Sequence, residues 1–122
     1  MRYDIEVRIS LAQPVARVWQ LACDSTAWPA MPGAELVLEV TPVEAGRRLE
    51  YAISAGLPVR DHHGELLVGQ TSTGGTELVF TESFRPRIWG TGGYLRGRRE
   101  RALIDTAQWW GRENSAPTSA PI

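Results

Sequence analysis

A chain of 122 residues with 43% apolar side chains has room for one domain and a modest core. Its net charge of −1 argues against a general nucleic-acid or acidic-membrane partner. All 13 basic residues are arginine, which excludes lysine Schiff-base and lysine-nucleophile chemistry. Cys23 is the only cysteine, so no intrachain disulfide can form and a reducing compartment fits. Met1 to Asp4 lack the apolar run of a signal peptide, and no stretch approaches the roughly 20 apolar residues of a membrane span. A cytoplasmic protein is expected.

Residues 2–10 alternate strictly, with Tyr3, Ile5, Val7 and Ile9 on one parity, and predict a half-buried strand. Pro14 suits the first turn of a helix, and Val15, Val18, Trp19 and Ala22 follow at helical spacing over about 14–22. The segment from Asp24 to Gly33 is dense in breakers and holds a second short helical turn at most. Ala34 to Val40 reads as a strand, 41–46 as a turn, and Arg48 to Ser54 as a strand placing Leu49, Tyr51 and Ile53 inward.

Val59 to Gln70 reads as the next strand, with Arg60, His62, Gly64, Leu66 and Val68 on the inward parity. A glycine turn over 71–75 returns the chain into a strand over 76–86. On that strand Leu78, Phe80 and Phe84 face a core, and Glu82 shares their parity. A carboxylate aimed at a core is costly unless paired or hydrated, which singles Glu82 out. Gly90 to Gly93 release the chain into a final helix, about 93–111, with Leu95, Ala102, Leu103, Thr106 and Trp110 along one side. Residues 1–112 form the expected single domain, and the small polar tail 113–122 is expected to be disordered.

The order strand, short helix pair, four hairpin-linked strands, long helix predicts an α+β protein with an antiparallel meander and helices on one face. The segments Pro14–Trp19, Asp24–Pro29, Gly74–Phe80, Phe84–Pro86 and the closing helix resemble the START-like, or Bet v 1-like, helix-grip proteins. The likeness is nearest to small bacterial polyketide cyclase/dehydrase-type members. It implies a curved sheet wrapped around the long helix, a cavity between them, and a hydrophobic small-molecule ligand. Members of that family usually carry a further hairpin where only 41–47 stands here. The shortened sheet leaves an open edge strand, and a homodimer is one way to cover it.

Pairing 59–70 with 76–86 sets His62 opposite Glu82 or Phe84, within reach of a side-chain hydrogen bond. A His–Glu unit in an apolar cavity can move protons, with Tyr51 and Arg60 as donors to an enolate or carboxylate oxygen. Alternatively the pair is structural, or Glu82 bonds an arginine of the last helix such as Arg99. The proposed cavity wall comprises Trp28, Leu66, Phe80, Phe84, Trp89, Leu95, Arg99 and Ala102. The cluster Arg96, Arg98, Arg99 and Arg101 either grips a phosphorylated carrier such as an acyl-carrier protein or is a solvated face partnered by Glu100 and Asp105. Asp61, His62 and His63 point alternately and supply too few ligands for a closed zinc site, so no metal is expected. No redox cofactor is expected either. Cys23 reads as a packing residue at a helix end, and Gly90, Gly92 and Gly93 lack the lysine of a phosphate loop.

The resulting expectation is a cyclase- or dehydratase-like enzyme acting by proton transfer on an apolar carbonyl substrate. Its alternative is a non-catalytic binder or carrier of a hydrophobic ligand.

Overall fold

The computed structural model describes residues 2–28 and 36–115, with side chains as far as Arg112. Its elements are β1 (Tyr3–Leu11), α1 (Val15–Ala22), a single 3-10 turn (Ser25–Ala27), β2 (Val37–Glu44), β3 (Arg48–Ala55), β4 (Val59–Gln70), β5 (Thr76–Pro86) and α2 (Gly92–Ser115). Residues 34 and 35 of the expected second strand, and 116–122 of the expected tail, lie outside the described residues.

All pairings are antiparallel and the sheet order is β1-β5-β4-β3-β2. The hairpin-linked strands β2 to β5 therefore form a meander, and β1 closes on the far side of β5. Side chains alternate across a strand, so each strand offers one apolar row. Ile5 and Val7, Leu49 and Tyr51, Leu66 and Val68, and Leu78, Phe80 and Phe84 are all buried. Against them α2 lays Leu95, Leu103, Ala107 and Trp110, and α1 adds Val18 and Ala22.

The aromatic residues close the middle of this layer. Trp28 meets Tyr51, Phe80 and Trp110 with ring centroids 4.8, 5.9 and 5.2 Å apart. Both buried indoles find acceptors, Trp28 Nε1 donating to the Ala22 carbonyl at 2.9 Å and Trp110 Nε1 to the Ala27 carbonyl at 2.8 Å. Gln13 Nε2 donates to the Gly111 carbonyl at 2.6 Å and ties the end of α2 to the β1–α1 link. Among the described residues, large rings thus occupy the middle of the space that the sequence leads one to expect as an open cavity.

β4 departs from simple alternation. Arg60 pairs with Arg85 and His63 with Ser83, so three residues of β4 advance while β5 advances two. The extra residue is a bulge, and Asp61 takes it up with φ +54°. Asp tolerates this left-handed region better than most residues. The bulge keeps Val59 and His62 both inward and turns Arg60 outward into solvent. The expected inward position of Arg60 is corrected accordingly. It stands opposite Arg85 on the far face, away from Tyr51 and Glu82.

Candidate functional site

Glu82 is only 3% exposed, halfway along β5 and under α2. Its burial would be prohibitive alone, and three side chains from three elements converge on it. Arg99 of α2 forks onto it, Nε donating to Oε2 at 2.6 Å and Nη2 to Oε1 at 2.9 Å. Tyr51 of β3 donates its hydroxyl to Oε1 at 2.8 Å. His62 of β4 brings Nε2 to 3.0 Å from Oε2, at too oblique an angle for a full hydrogen bond. Arg99 can do this because it sits on the inward stripe of α2, four residues from both Leu95 and Leu103.

Burial works against the Glu82 charge, but His62 and the Arg99 fork outweigh it and hold the carboxyl down at about 2. Burial likewise opposes the Arg99 charge, while the bonds to Glu82 push its proton affinity up. The Tyr51 phenol is raised well above its ordinary value, first by burial and then by the neighbouring Glu82 charge. The cluster at neutral pH is a carboxylate, a guanidinium and a neutral phenol.

His62 has a second contact that fixes its state. The Ile53 N–H, beyond the last residue pair of the β3–β4 register, donates to His62 Nδ1 at 3.0 Å. An Nδ1 that accepts leaves the ring proton on Nε2, the nitrogen that lies beside Glu82 Oε2. The imidazole therefore substitutes for a missing backbone acceptor and spans two strands and a carboxylate. Tyr51 reaches Glu82 by crossing β4 at Gly64, where a Cβ would overlap the phenol ring. Gly64 pairs with Tyr51 on one side and with Glu82 on the other. Its missing side chain is the gap through which the hydroxyl arrives.

A pocket of about 270 Å³ opens beside this cluster, lined by Ser25, Thr26, Trp28, Leu36, Leu38, Ile53 and Arg99. Glu82 takes Nε and Nη2 of Arg99, which leaves Nη1 outside the ion pair. The lining is otherwise apolar apart from two hydroxyls at the 3-10 turn. A larger hollow of about 530 Å³ beside β1 has charges of both signs from Arg2, Asp4, Glu6, Arg96 and Glu100, and Glu82 and Ile5 also line it.

The structure thus brings together Glu82, His62, Tyr51 and Arg99, and leaves Arg60 outside. Of the expected wall, Trp28 and Arg99 line the pocket. Leu66, Phe80, Phe84 and Leu95 are sealed in the core, and Ala102 is half-buried on α2. Trp89 is 97% exposed and lines a different cleft. Alternation alone could have nominated Leu38 and Ile53, which share the inward parity of their strands. Ser25 and Thr26 carry no such signal. Cys23 is half-buried, and burial raises its thiol. Among the described residues no group of three metal-ligating side chains stands together, and no helix is long and apolar enough to cross a membrane.

No family model matches the sequence, and no curated protein does. Solved structures do. A Bacillus thuringiensis protein superposes with a TM-score of 0.74 at 12% identity, over 91% of this chain and 98% of its own. Ara h 8.0201 superposes at 0.65 with 9% identity, over 92% of this chain and 97% of its own. The Zhui aromatase/cyclase from Streptomyces sp. R1128 superposes at 0.60 with 16% identity, over 92% and 90%. The chain has the helix-grip fold. At these identities the likeness concerns the fold alone, and the helix-grip frame accounts for the site's position between the closing helix and the inner face of the sheet.

Proposed function

We propose that the protein binds a small, mostly apolar ligand with an anionic or carbonyl oxygen in the pocket beside Arg99, without proton transfer at Glu82. The observation that carries this reading is the saturation of Glu82. Its two oxygens receive three hydrogen bonds and a close imidazole, and its carboxyl is held at about 2. A general base works best with a value near the operating pH and a free lone pair facing the substrate. Glu82 has neither. His62 is no better placed, because Ile53 occupies the nitrogen that would take a proton. Trp28, Leu36, Leu38 and Ile53 supply apolar contact, and Arg99 Nη1 supplies a charge-assisted donor for one oxygen.

The second reading keeps the chemistry expected of a cyclase or dehydratase, with Glu82 and His62 as the proton-transfer pair and Tyr51 as donor. It draws support from the fold shared with the Zhui aromatase/cyclase and from the convergence of the three side chains. An acyl-carrier partner gains no support from the arginines of α2, since Arg99 points inward onto Glu82.

The test is displacement of 1-anilinonaphthalene-8-sulfonate, an apolar anion, followed by fluorescence on the purified chain. The binding reading expects a saturable site that Ile53→Trp closes and Glu82→Gln leaves within about threefold. Binding wholly indifferent to Ile53→Trp would sink it.

A further inference from the structure

A second cleft, of about 540 Å³, opens where β4 begins, β5 ends and α2 starts. It shares no residue with the pocket beside Arg99. Tyr3, Pro86 and Trp89 line it together with Arg60, Arg85 and Arg87.

Its charge is unbalanced. Arg60 and Arg85 stand directly opposite each other in the β4–β5 register, an arrangement of like charges that weakens strand pairing. Among the described residues the one ion pair these three arginines make is that of Arg85 with Asp61, at 3.8 Å with both side chains in solvent. Arg87 spends Nε on the Val59 carbonyl at 3.0 Å, which anchors its stem and leaves both terminal nitrogens. Arg60 has no ion-pair partner among the described residues. The first turn of α2, at the cleft's edge, carries no acidic residue. In a chain of net charge −1 this end gathers uncompensated positive charge.

The aromatic lining is held in place and yet left open. Tyr3 stacks on Phe84 with centroids 5.9 Å apart and presses on Gly92, where a Cβ would overlap its ring. The 88–91 turn is pinned by Thr91 Oγ1 donating to the Ile88 carbonyl at 2.6 Å. On that pinned turn Trp89 is 97% exposed, with no burial to account for so large an apolar ring. Guanidinium forks match phosphate oxygens, and an indole face accepts a planar ring.

We propose that this cleft binds a phosphomonoester carried on a planar aromatic ring, the phosphate held by Arg60, Arg85 and Arg87 and the ring against Trp89. The ligand is a small soluble molecule. Isothermal titration calorimetry of the whole chain tests it with three probes: phenyl phosphate, inorganic phosphate, and mixed phosphatidylserine/phosphatidylcholine vesicles. The expected result is one phenyl phosphate site about tenfold or more tighter than inorganic phosphate, weakening as salt is raised. Arg60→Gln and Trp89→Ala should each loosen it by about five- to tenfold. Both side chains are solvent-exposed, so neither variant should melt below the parent protein. Equal affinity for the two phosphates, indifference to Arg60→Gln, or binding to vesicles without binding to phenyl phosphate would each overturn the proposal.

Discussion

Arg99 and Glu82 meet as a two-pronged ion pair between helix and sheet, Nε on Oε2 at 2.6 Å and Nη2 on Oε1 at 2.9 Å. Both residues are nearly sealed from water, at 4% and 3% exposure. A buried pair costs desolvation that its attraction only partly returns, whereas breaking it strands a charge. Arg99→Met is therefore expected to lose about 3–5 kcal/mol in urea unfolding at constant slope. The double variant Arg99→Met/Glu82→Leu should recover more than half of that loss. It should not recover all of it, because the Tyr51 hydroxyl loses its acceptor and His62 Nε2 loses the carboxylate beside it. A double variant as unstable as the two single losses added together would contradict this account.

The same carboxylate sets an acid limit. Glu82 is held at about 2 against its ordinary 4.5. A group lowered on folding contributes stability that is complete above its unfolded value and disappears as pH falls through the folded one. The window is thus from 4.5 down to about 2, and the contribution is on the order of 3 kcal/mol. Other carboxylates titrate nearby, so the measurement is the difference in unfolding free energy between the parent and Glu82→Gln. That difference should be flat above about pH 5.5 and shrink steadily below the unfolded value. A constant difference down to about pH 2.5 would show that Glu82 is not preferentially stabilised as a carboxylate.

Where alternation governs, the sequence is a sufficient guide. β1, β3 and β5 each place their apolar row as read, and Glu82 was visible as a charge within such a row. Its principal partner was visible too. Among the arginines of α2, Arg99 alone stands four residues from both Leu95 and Leu103, and that spacing could have ranked it above Arg98 and Arg101. Arg60 was misplaced for a different reason. A bulge adds one residue, and one residue inverts every parity on the far side of it. Nothing in Arg60-Asp61-His62 announces the insertion, because Asp in a left-handed conformation is tolerated rather than required. The filled interior was not legible at all. Whether Phe80, Phe84 and Trp110 line a cavity or close it depends on how their volumes meet across three elements.

Gly64 offers a local test of how the cluster is assembled. A Cβ there would run into the Tyr51 ring, while Gly69, on the same strand, has open space around it. Gly64→Ala should cost about 1–3 kcal/mol through overpacking, and Gly69→Ala should fall within about 0.5 kcal/mol of the parent. Tyr51→Leu placed beside Gly64→Ala should return part of the loss, since the shorter side chain no longer crosses the strand. Thermal melts of the four proteins decide it. If Gly64→Ala melts with the parent, the phenol does not depend on this gap.

Asp61 links the bulge to the site, because its φ of +54° is what lets Val59 and His62 both face inward. The left-handed region costs an L-residue about 1–2 kcal/mol, and glycine enters it freely. Asp61→Gly is therefore expected to match or exceed the parent's stability, by up to about 1 kcal/mol. The Arg85 contact given up, at 3.8 Å in open solvent, is too weak to reverse that sign. Asp61→Val should destabilise by about 1–2 kcal/mol, since a β-branched residue tolerates this conformation poorly. The backbone readout is the Ile53 amide, which donates to His62 Nδ1. Its hydrogen exchange should remain slow in Asp61→Gly and quicken in Asp61→Val, as the imidazole leaves its place. Fast exchange at Ile53 in the parent protein would mean that the bulge does not hold His62 there.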